Sequence, residues 1–300
     1  MNSDTTAQAP IAKRPIVRPF FCALAAIPTG LLVVALSAWL ARAISQRVLG
    51  GADEQFIFYL FVDPGLLLLF WLLLKFLDRR HFHNMGLWLY PGWLREVWQG
   101  IAIGAVLIAF CIGVLVPGPW LDYASVNSFD GRGLLFTALF LFLAAAFEEI
   151  VFRGYIFQRL LDSIGALGAM LVLSAFFGWA HLDNPNATAL STANTILAGI
   201  LLAVAYLKTR GLWLPIALHW AWNFFLGPIF SLPVSGFDIG PNVFVARVSG
   251  PVWLSGGAYG LEGSVVLTVA CTAAILWLWL SPGVRPTPIM AELFKDPQKA

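Results

Sequence analysis

The sequence has few charged residues, and this scarcity argues against a soluble fold. Only 11% of its 300 residues are Asp, Glu, Lys or Arg, whereas 59% are hydrophobic. A typical soluble domain carries about 25% charged residues. The mean hydropathy of +0.80 points the same way. A chain of this length could not bury so much apolar surface in water, so we expect the lipid bilayer to be its solvent.

Strong positive charge and the usual metal-binding or nucleophile motifs are also missing. A net charge of +2 gives no basic field, so we expect no nucleic-acid partner. Cys22, Cys111 and Cys271 fall in separate apolar stretches, without CxxC or Cys/His spacing. The chain lacks HExxH, the strongest zinc-protease spacing, and a convincing GxSxG serine elbow.

Long apolar runs are what the chain has instead. A membrane-spanning helix needs roughly 20 apolar residues. The sequence therefore predicts an all-α, polytopic membrane helical bundle of about eight transmembrane helices. Its predicted spans are about 19–41, 56–77, 98–117, 133–156, 165–182, 189–207, 211–231 and 263–281. The first run follows Lys13, Arg14 and Arg18 but is too long for a signal-peptide core, so we expect a retained anchor.

An acid next to a proline interrupts the second apolar run. Asp63-Pro64 is typical of a helix N-cap followed by proline at the first helical position. We therefore expect the second helix to be short or kinked at this point. The alternative is that Asp63 is a functional acid inside the membrane.

Lysine and arginine predict the topology. Most of them fall in segments that share one side of the membrane with the N-terminus, which predicts that both termini are cytoplasmic. We expect a cytoplasmic N-terminal tail at 1–18, a membrane domain at 19–282 with its core at about 130–230, and a cytoplasmic C-terminal tail at 283–300. The stretch 232–262, rich in Gly, Pro and Ser, is predicted to be an outside loop.

Ionisable side chains inside the spans are costly and are therefore functional candidates. Glu148 and Glu149 follow a long apolar run, and Arg153 lies one helical turn past Glu149, where the two can pair. Glu148 is rotated from that pair by about 100° and is free to face another group. Further along, His181 ends the fifth predicted span, and one face of the seventh carries His219 and Asn223.

Helix depth tests whether these groups can meet. A hairpin turning near 163–165 would place Glu148 and His181 at roughly 23 and 25 Å from the turn, at one level. His219 would lie only roughly 13 Å from its own turn at 208–210. We therefore expect Glu148 to meet His181, and expect His219 to be shallower unless the first hairpin projects further into the cytoplasm.

Carboxylate, imidazole and amide groups together can hold and activate a water molecule. Glu148 could act as a general base, and Asn223 could donate to a developing oxyanion. Glutamate and histidine could instead hold a divalent metal. No cysteine neighbours the cluster, so hydrolysis by an activated water fits better than a covalent nucleophile.

Three short motifs in order resemble one family of intramembrane proteases. The chain has EExxxR at 148–153, FxxxH at 177–181 and HxxxN at 219–223. This set resembles the CAAX protease and bacteriocin-processing (CPBP) family, which includes proteins like CAAX prenyl protease 2. The resemblance covers about 130–230, and each motif lies on an apolar helix.

The resemblance implies an intramembrane endopeptidase that cleaves membrane-associated or lipidated proteins and peptides. It implies that Glu148 activates the attacking water, that His181 assists, and that His219 and Asn223 form an oxyanion site. Supporting roles fall to Glu149 and Arg153. The family has been described both as metal-dependent and as glutamate-type, so the cofactor is either a divalent metal such as zinc, on Glu148, His181 and His219, or none.

Two other classes of function remain open at this point. The chain could be a non-catalytic immunity or scaffold protein of the same fold, in which the motifs join helices by polar contacts. It could also be a transporter that uses its buried acids as a proton relay, although no repeat or broken helix pair is visible. For the protease we expect membrane lipid and a protein or peptide substrate as partners, and a location in the bacterial inner (plasma) membrane.

Overall fold

Helices dominate the protein. The computed structural model describes residues 17–48, 53–125 and 130–295, with side chains as far as residue 293. The helices in these ranges are α1 Val17–Arg47, α2 Glu54–Leu72, α3 Trp93–Leu115, α4 Gly131–Arg153, α5 Tyr155–Trp179, α6 Ala189–Thr209, α7 Trp213–Phe224, α8 Val252–Ser255, α9 Val265–Leu280 and α10 Pro288–Lys295. Two of them continue as π-helical turns, α2 through Leu73–Asp78 and α7 through Phe225–Ile229.

Strands contribute little. β1 Leu121–Ser125 pairs antiparallel with β2 Phe244–Val248. Short 3-10 turns occupy Phe82–Met85, Gly257–Tyr259 and Leu261–Gly263. The predicted all-α membrane bundle is confirmed, because each predicted span coincides with a helix of the described chain.

Length and apolarity identify the helices able to cross a membrane. Five helical stretches qualify within the described residues: Val17–Arg47, Glu54–Asp78, Trp93–Leu115, Gly131–Trp179 and Ala189–Thr209. The fourth stretch contains both α4 and α5 and so accounts for two predicted spans. The helix α9 is apolar but shorter. The protein is therefore an integral membrane protein.

The prediction for Asp63 is wrong. The second helix begins at Glu54, after Asp53, so Asp63 and Pro64 lie inside α2 and not at its start. The Pro64 ring is tolerated there because neighbouring groups can satisfy the backbone within a bundle. Asp63 is buried, and neither of its carboxyl oxygens has a hydrogen-bond partner among the described residues.

The predicted tails and outer loop contain ordered elements. Of the predicted N-terminal tail, only Val17 and Arg18 are described, and they begin α1. In the predicted C-terminal tail, α10 buries Met290 and Leu293 in a small cluster with Tyr90. The stretch 232–262 contains β2 and α8.

Two breaks interrupt the helical path through α4 and α5, one between the two helices and one inside α5. Gly154 leaves helical geometry with φ −74° and ψ −129°, which ends α4 directly after Arg153. Gly165 has φ 76° and ψ 175°, a backbone conformation that favours glycine, and it lies where the sequence predicts the hairpin turn. Residues 155–164 are therefore a short first part of α5, separated from α4 by Gly154 and from the rest of α5 by Gly165.

The position of α7 is fixed by two neighbours. It packs closely on α3, where a Cβ on Gly100 would lie 2.6 Å from the Leu214 carbonyl oxygen, so only glycine permits this approach. On its other side, Trp220 Nε1 donates to the Ala138 carbonyl of α4 at 2.8 Å. These contacts hold α7 beside α4. The helix α7 contributes to two buried apolar clusters. One cluster includes parts of α3, α6 and α9, and the other includes parts of α1, α2, α4 and α5.

Candidate active site

A buried ion pair lies near the C-terminal end of α4. Arg153 Nη1 donates to Glu149 Oε1 at 3.0 Å, as the spacing of four residues predicts. Both side chains are almost fully buried. Arg153 Nη2 also donates to the Gly199 carbonyl of α6 at 2.9 Å. The pair therefore connects α4 to α6 and fixes the height of the glutamates against the neighbouring helix.

His219 lies between the two glutamates. Its Nδ1 is 3.0 Å from Glu149 Oε1, and because an ionised carboxylate only accepts, Nδ1 donates in this bond. Its Nε2 is 3.8 Å from Glu148 Oε2. His219 therefore lies at the level of the glutamates and is not shallower, which is the outcome that the sequence left open for a first hairpin that projects further into the cytoplasm. The break at Gly154 ends α4 directly after Arg153, so α4 does not continue to the hairpin turn.

His181 follows the end of α5 and is oriented by its own motif. Its Nδ1 donates to the Phe177 carbonyl at 2.7 Å, which leaves Nε2 available on the other side of the ring. The Phe177 ring packs against both imidazoles, with ring-centroid distances of 4.7 Å to His181 and 6.1 Å to His219. The Arg153 guanidinium carbon lies 4.8 Å from the centre of the same ring. Phe177 is thus the shared packing surface of the three motifs.

A cavity of about 830 Å³ brings the four candidate catalytic residues together. Glu148, His181, His219 and Asn223 all line it. Aromatic rings form much of the remaining wall, at Tyr59, Phe136, Phe140, Phe147, Phe152 and Phe237. A smaller cavity of about 50 Å³ lies behind it, and His181, His219, Asn223 and Ser235 line both. These four residues therefore contribute to the walls of both cavities.

Glu148 is the acid that faces the large cavity. Its side chain is 26% exposed, whereas that of Glu149 is fully buried. Within the described part of the chain, Glu148 Oε2 has no hydrogen-bond partner. Glu148 and His181 both line the cavity, as expected. The imidazole that lies next to the Glu148 carboxylate, at 3.8 Å, is that of His219. The predicted contact between Glu148 and His181 is therefore replaced by one between Glu148 and His219.

A metal site receives no support from the arrangement of side chains. Among residues 17–48, 53–125 and 130–295, no three His, Cys, Asp or Glu side chains are grouped so that they could hold a metal ion. The trio Glu148, His181 and His219 therefore does not fit as a ligand set in this conformation.

Sequence reasoning missed Glu262, Trp222 and Ser235 as neighbours of the site. Glu262 lines the smaller cavity and accepts from Trp222 Nε1 at 2.9 Å. Ser235 lines both cavities. The signal available was the acid Glu262 at the end of a weakly charged loop, 232–262, whose other acid is Asp238. No motif joins it to α7, because the contact depends on the tertiary fold.

Comparison with known proteins gives a family match for the central segment of the chain. Residues 130–225 match the family described as Rce1-like, type II CAAX prenyl endopeptidase. An uncharacterized 24.3 kDa protein of Escherichia coli is 29% identical over 198 residues, which cover 60% of this chain and 85% of that protein. No solved structure matches the chain. The matched segment contains all three motifs, and the match supports the resemblance of this part of the chain to the CAAX-type proteases of the CPBP family.

Proposed function

We propose that the protein is an intramembrane endopeptidase in which Glu148 activates the attacking water. The observation that carries this proposal is the position of Glu148, whose side chain is 26% exposed and lines the 830 Å³ cavity, while its buried oxygen Oε2 lies 3.8 Å from His219 Nε2. A general base must reach the proton that it removes, and a carboxylate open to a cavity can do so.

The reaction begins when Glu148 takes a proton from a water molecule in the cavity. The water oxygen forms a bond to the scissile carbonyl carbon, and the C=O π electrons move to the carbonyl oxygen. The Asn223 amide and the His219 imidazole, carrying protons on both ring nitrogens, donate to this oxyanion. Collapse of the intermediate breaks the C–N bond, and Glu148 returns the proton to the departing amine. His181 assists through its free Nε2.

Glu149 and Arg153 act on this reaction through His219. Glu149 Oε1 accepts from both Arg153 and His219, each at 3.0 Å, so one carboxylate oxygen fixes the imidazole ring relative to α4. Partners of this kind orient catalytic side chains and hold them in one rotamer. We therefore assign Glu149 and Arg153 a positioning role.

The proposal extends to where the enzyme acts and on what. We place it in the bacterial inner membrane with both termini in the cytoplasm, as the distribution of Lys and Arg predicts. Its substrate is a membrane-associated or lipidated protein or peptide, in keeping with the prenyl endopeptidase family that residues 130–225 match. The aromatic walls of the cavity suit an apolar substrate.

The decisive experiment is Glu148→Gln in proteoliposomes. The probes are a quenched fluorescent farnesylated CAAX-type peptide and the same peptide without the lipid. We expect wild-type protein to cleave the lipidated probe and Glu148→Gln to be slower by at least about 10²-fold, because the amide cannot accept the water proton. The matched control is Glu54→Gln, which removes an exposed acid paired with Arg42 and should leave the rate unchanged.

Two results would contradict the proposal. One is cleavage by Glu148→Gln at the wild-type rate. The other is a wild-type protein that cleaves neither probe, which would favour the non-catalytic immunity or scaffold role.

A further inference from the structure

The segment 234–241 forms one wall of the large cavity. It follows α7 in the chain and lines the same cavity as α4, which contributes Phe136 and Phe140. Phe237 is 50% exposed, although it is a large apolar side chain. The cavity-lining residues of this segment are Val234, Ser235, Phe237, Asp238, Ile239, Gly240 and Pro241.

Glu262 anchors the first end of this wall. Its Oε2 accepts from the backbone N–H of Ser235 and from Ser235 Oγ, the latter at 3.0 Å. Its Oε1 accepts from Trp222 Nε1 at 2.9 Å, and Trp222 is the neighbour of Asn223 on α7. Asn184 Nδ2 donates to the Ser235 carbonyl at 3.0 Å. Ser235 has φ 50°, a conformation that side chains rarely adopt, so its surroundings must hold it.

Glu262 is itself fixed by α6 and α9. Asn194 Nδ2 donates to the Glu262 carbonyl at 2.9 Å and to the Ser264 carbonyl at 2.8 Å. Thr268 Oγ1 donates to Asn194 Oδ1 at 2.7 Å. The backbone of Glu262 is thus held by Asn194, and its carboxylate bonds Trp222 and Ser235, so the groups on both sides of this residue restrict its movement.

Thr137 anchors the other end of the wall. Its Oγ1, on α4, donates to the Gly240 carbonyl at 2.9 Å. The Thr137 side chain is buried, and the bond joins α4 to the exposed Gly240 at the far end of the segment. The wall is therefore tied at both ends, to the Glu262 network and to the helix that carries Glu148.

We propose that the segment 234–241 is the substrate-binding wall of the cavity, and that Glu262 is a positioning residue that holds it. This inference rests on the proposed function. The exposed Phe237 lines the same cavity as the aromatic side chains of α4, so the part of the substrate bound there is an apolar side chain or lipid group of a membrane-associated peptide. Glu262 lines the smaller cavity but not the large one, and it acts on the wall through Ser235, which lines both.

The first measurement needs no enzymatic activity. Hydrogen–deuterium exchange on the full-length protein would be followed in a peptide covering 234–241. The amides of residues 234–237 all donate hydrogen bonds, one of them to Glu262. We expect Glu262→Ala to speed their exchange by about tenfold or more, and Glu262→Gln, which keeps one acceptor oxygen, to give an intermediate rate. Thr137→Val should loosen the far end of the segment, whereas the matched control Thr272→Val, an exposed helical threonine on α9, should not.

The second measurement tests substrate binding separately from catalysis. The farnesylated peptide would be titrated into Glu148→Gln protein, with and without Glu262→Ala, Glu262→Gln or Thr137→Val. We expect Kd to rise by about tenfold for Glu262→Ala and less for Glu262→Gln and Thr137→Val. A purely structural role for Glu262 would lower the melting temperature without changing the Kd of the folded fraction.

The outcomes separate this inference from the proposed function. Unchanged exchange in 234–241, or unchanged Kd in Glu262→Ala, overturns the inference even where Glu148→Gln abolishes cleavage. Faster exchange in 234–241 together with a higher Kd for the farnesylated peptide supports the wall even if Glu148→Gln retains activity. In that case only the assignment of Glu148 as the general base fails.

Discussion

Two buried clusters of acids and bases differ in what surrounds them. The cavity cluster consists of Glu148, Glu149, Arg153 and His219. The closed cluster consists of Asp78, Arg80, Arg159 and Asp162. In the closed cluster, Arg80 pairs with Asp162 at 2.9 Å, and Arg159 pairs with Asp78 at 3.3 Å and with Asp162 at 3.4 Å. Two cations balance two anions, and none of the four lines either cavity at the candidate site.

The difference shows that burial of charge alone does not identify a functional site. Both clusters contain an almost fully buried arginine, Arg153 in one and Arg159 in the other. In the closed cluster, burial first and the nearby Arg159 second lower the pKa of Arg80, and Asp162 offsets this effect. The cavity cluster instead leaves one acid, Glu148, directed to open space. Charge that faces a cavity can act on a substrate, whereas charge that is internally balanced can only join the segments that carry it.

The largest expected effect is that of Arg153→Met. The substitution leaves Glu149 buried without its partner and should lower the free energy of unfolding by about 3–5 kcal/mol. It should also lower cleavage by the folded fraction, because Glu149 no longer holds His219 in one orientation. Denaturant titration in detergent measures the first effect. Arg42→Met, at an exposed pair, is the control and should change stability by less than about 1 kcal/mol.

Asn223→Ala should have the next largest effect, confined to catalysis. Loss of one oxyanion donor typically lowers the rate by about 10²–10³-fold. The side chain of Asn223 is only half-buried, so we expect little change in stability. Steady-state cleavage of the farnesylated probe would measure kcat. A rate within twofold of wild type would contradict the role of Asn223 as a donor to the oxyanion.

Asp162→Asn should have the opposite pattern in the closed cluster. It removes the carboxylate that both arginines share, and we expect a loss of about 2 kcal/mol in stability, reduced from the fully buried case because Asp162 is 27% exposed. The cleavage rate of the remaining folded protein should be that of wild type. A specific loss of kcat at unchanged stability would contradict the division between the two clusters.

Asp63→Leu is the smallest and sharpest test. Neither oxygen of this buried acid has a hydrogen-bond partner among the described residues. Replacing it by an apolar side chain should raise the free energy of unfolding by about 1 kcal/mol, because an unsatisfied polar group is removed. If the variant is more stable but loses cleavage activity, Asp63 is a functional intramembrane acid, the alternative that the sequence leaves open.

Much of the site was predictable because its parts are local. The pairing of Glu149 with Arg153 follows from helical spacing, and the structure confirms it. The turn near Gly165 was predicted from the ends of two apolar runs. The position of Asp63 was not, because an Asp-Pro pair resembles a helix start and apolar neighbours on both sides allowed α2 to continue through it.

The amino-acid sequence alone predicted the membrane bundle, the family resemblance and the candidate polar residues, because hydropathy and motif spacing are properties of contiguous segments. Only the tertiary structure decided which imidazole meets Glu148. That choice depends on the break at Gly154 and on the close packing of α7 against α3, which bring His219 between the glutamates. The same holds for Glu262, whose contacts join residues far apart in the chain. No local pattern encodes such contacts, because they exist only once the helices have packed.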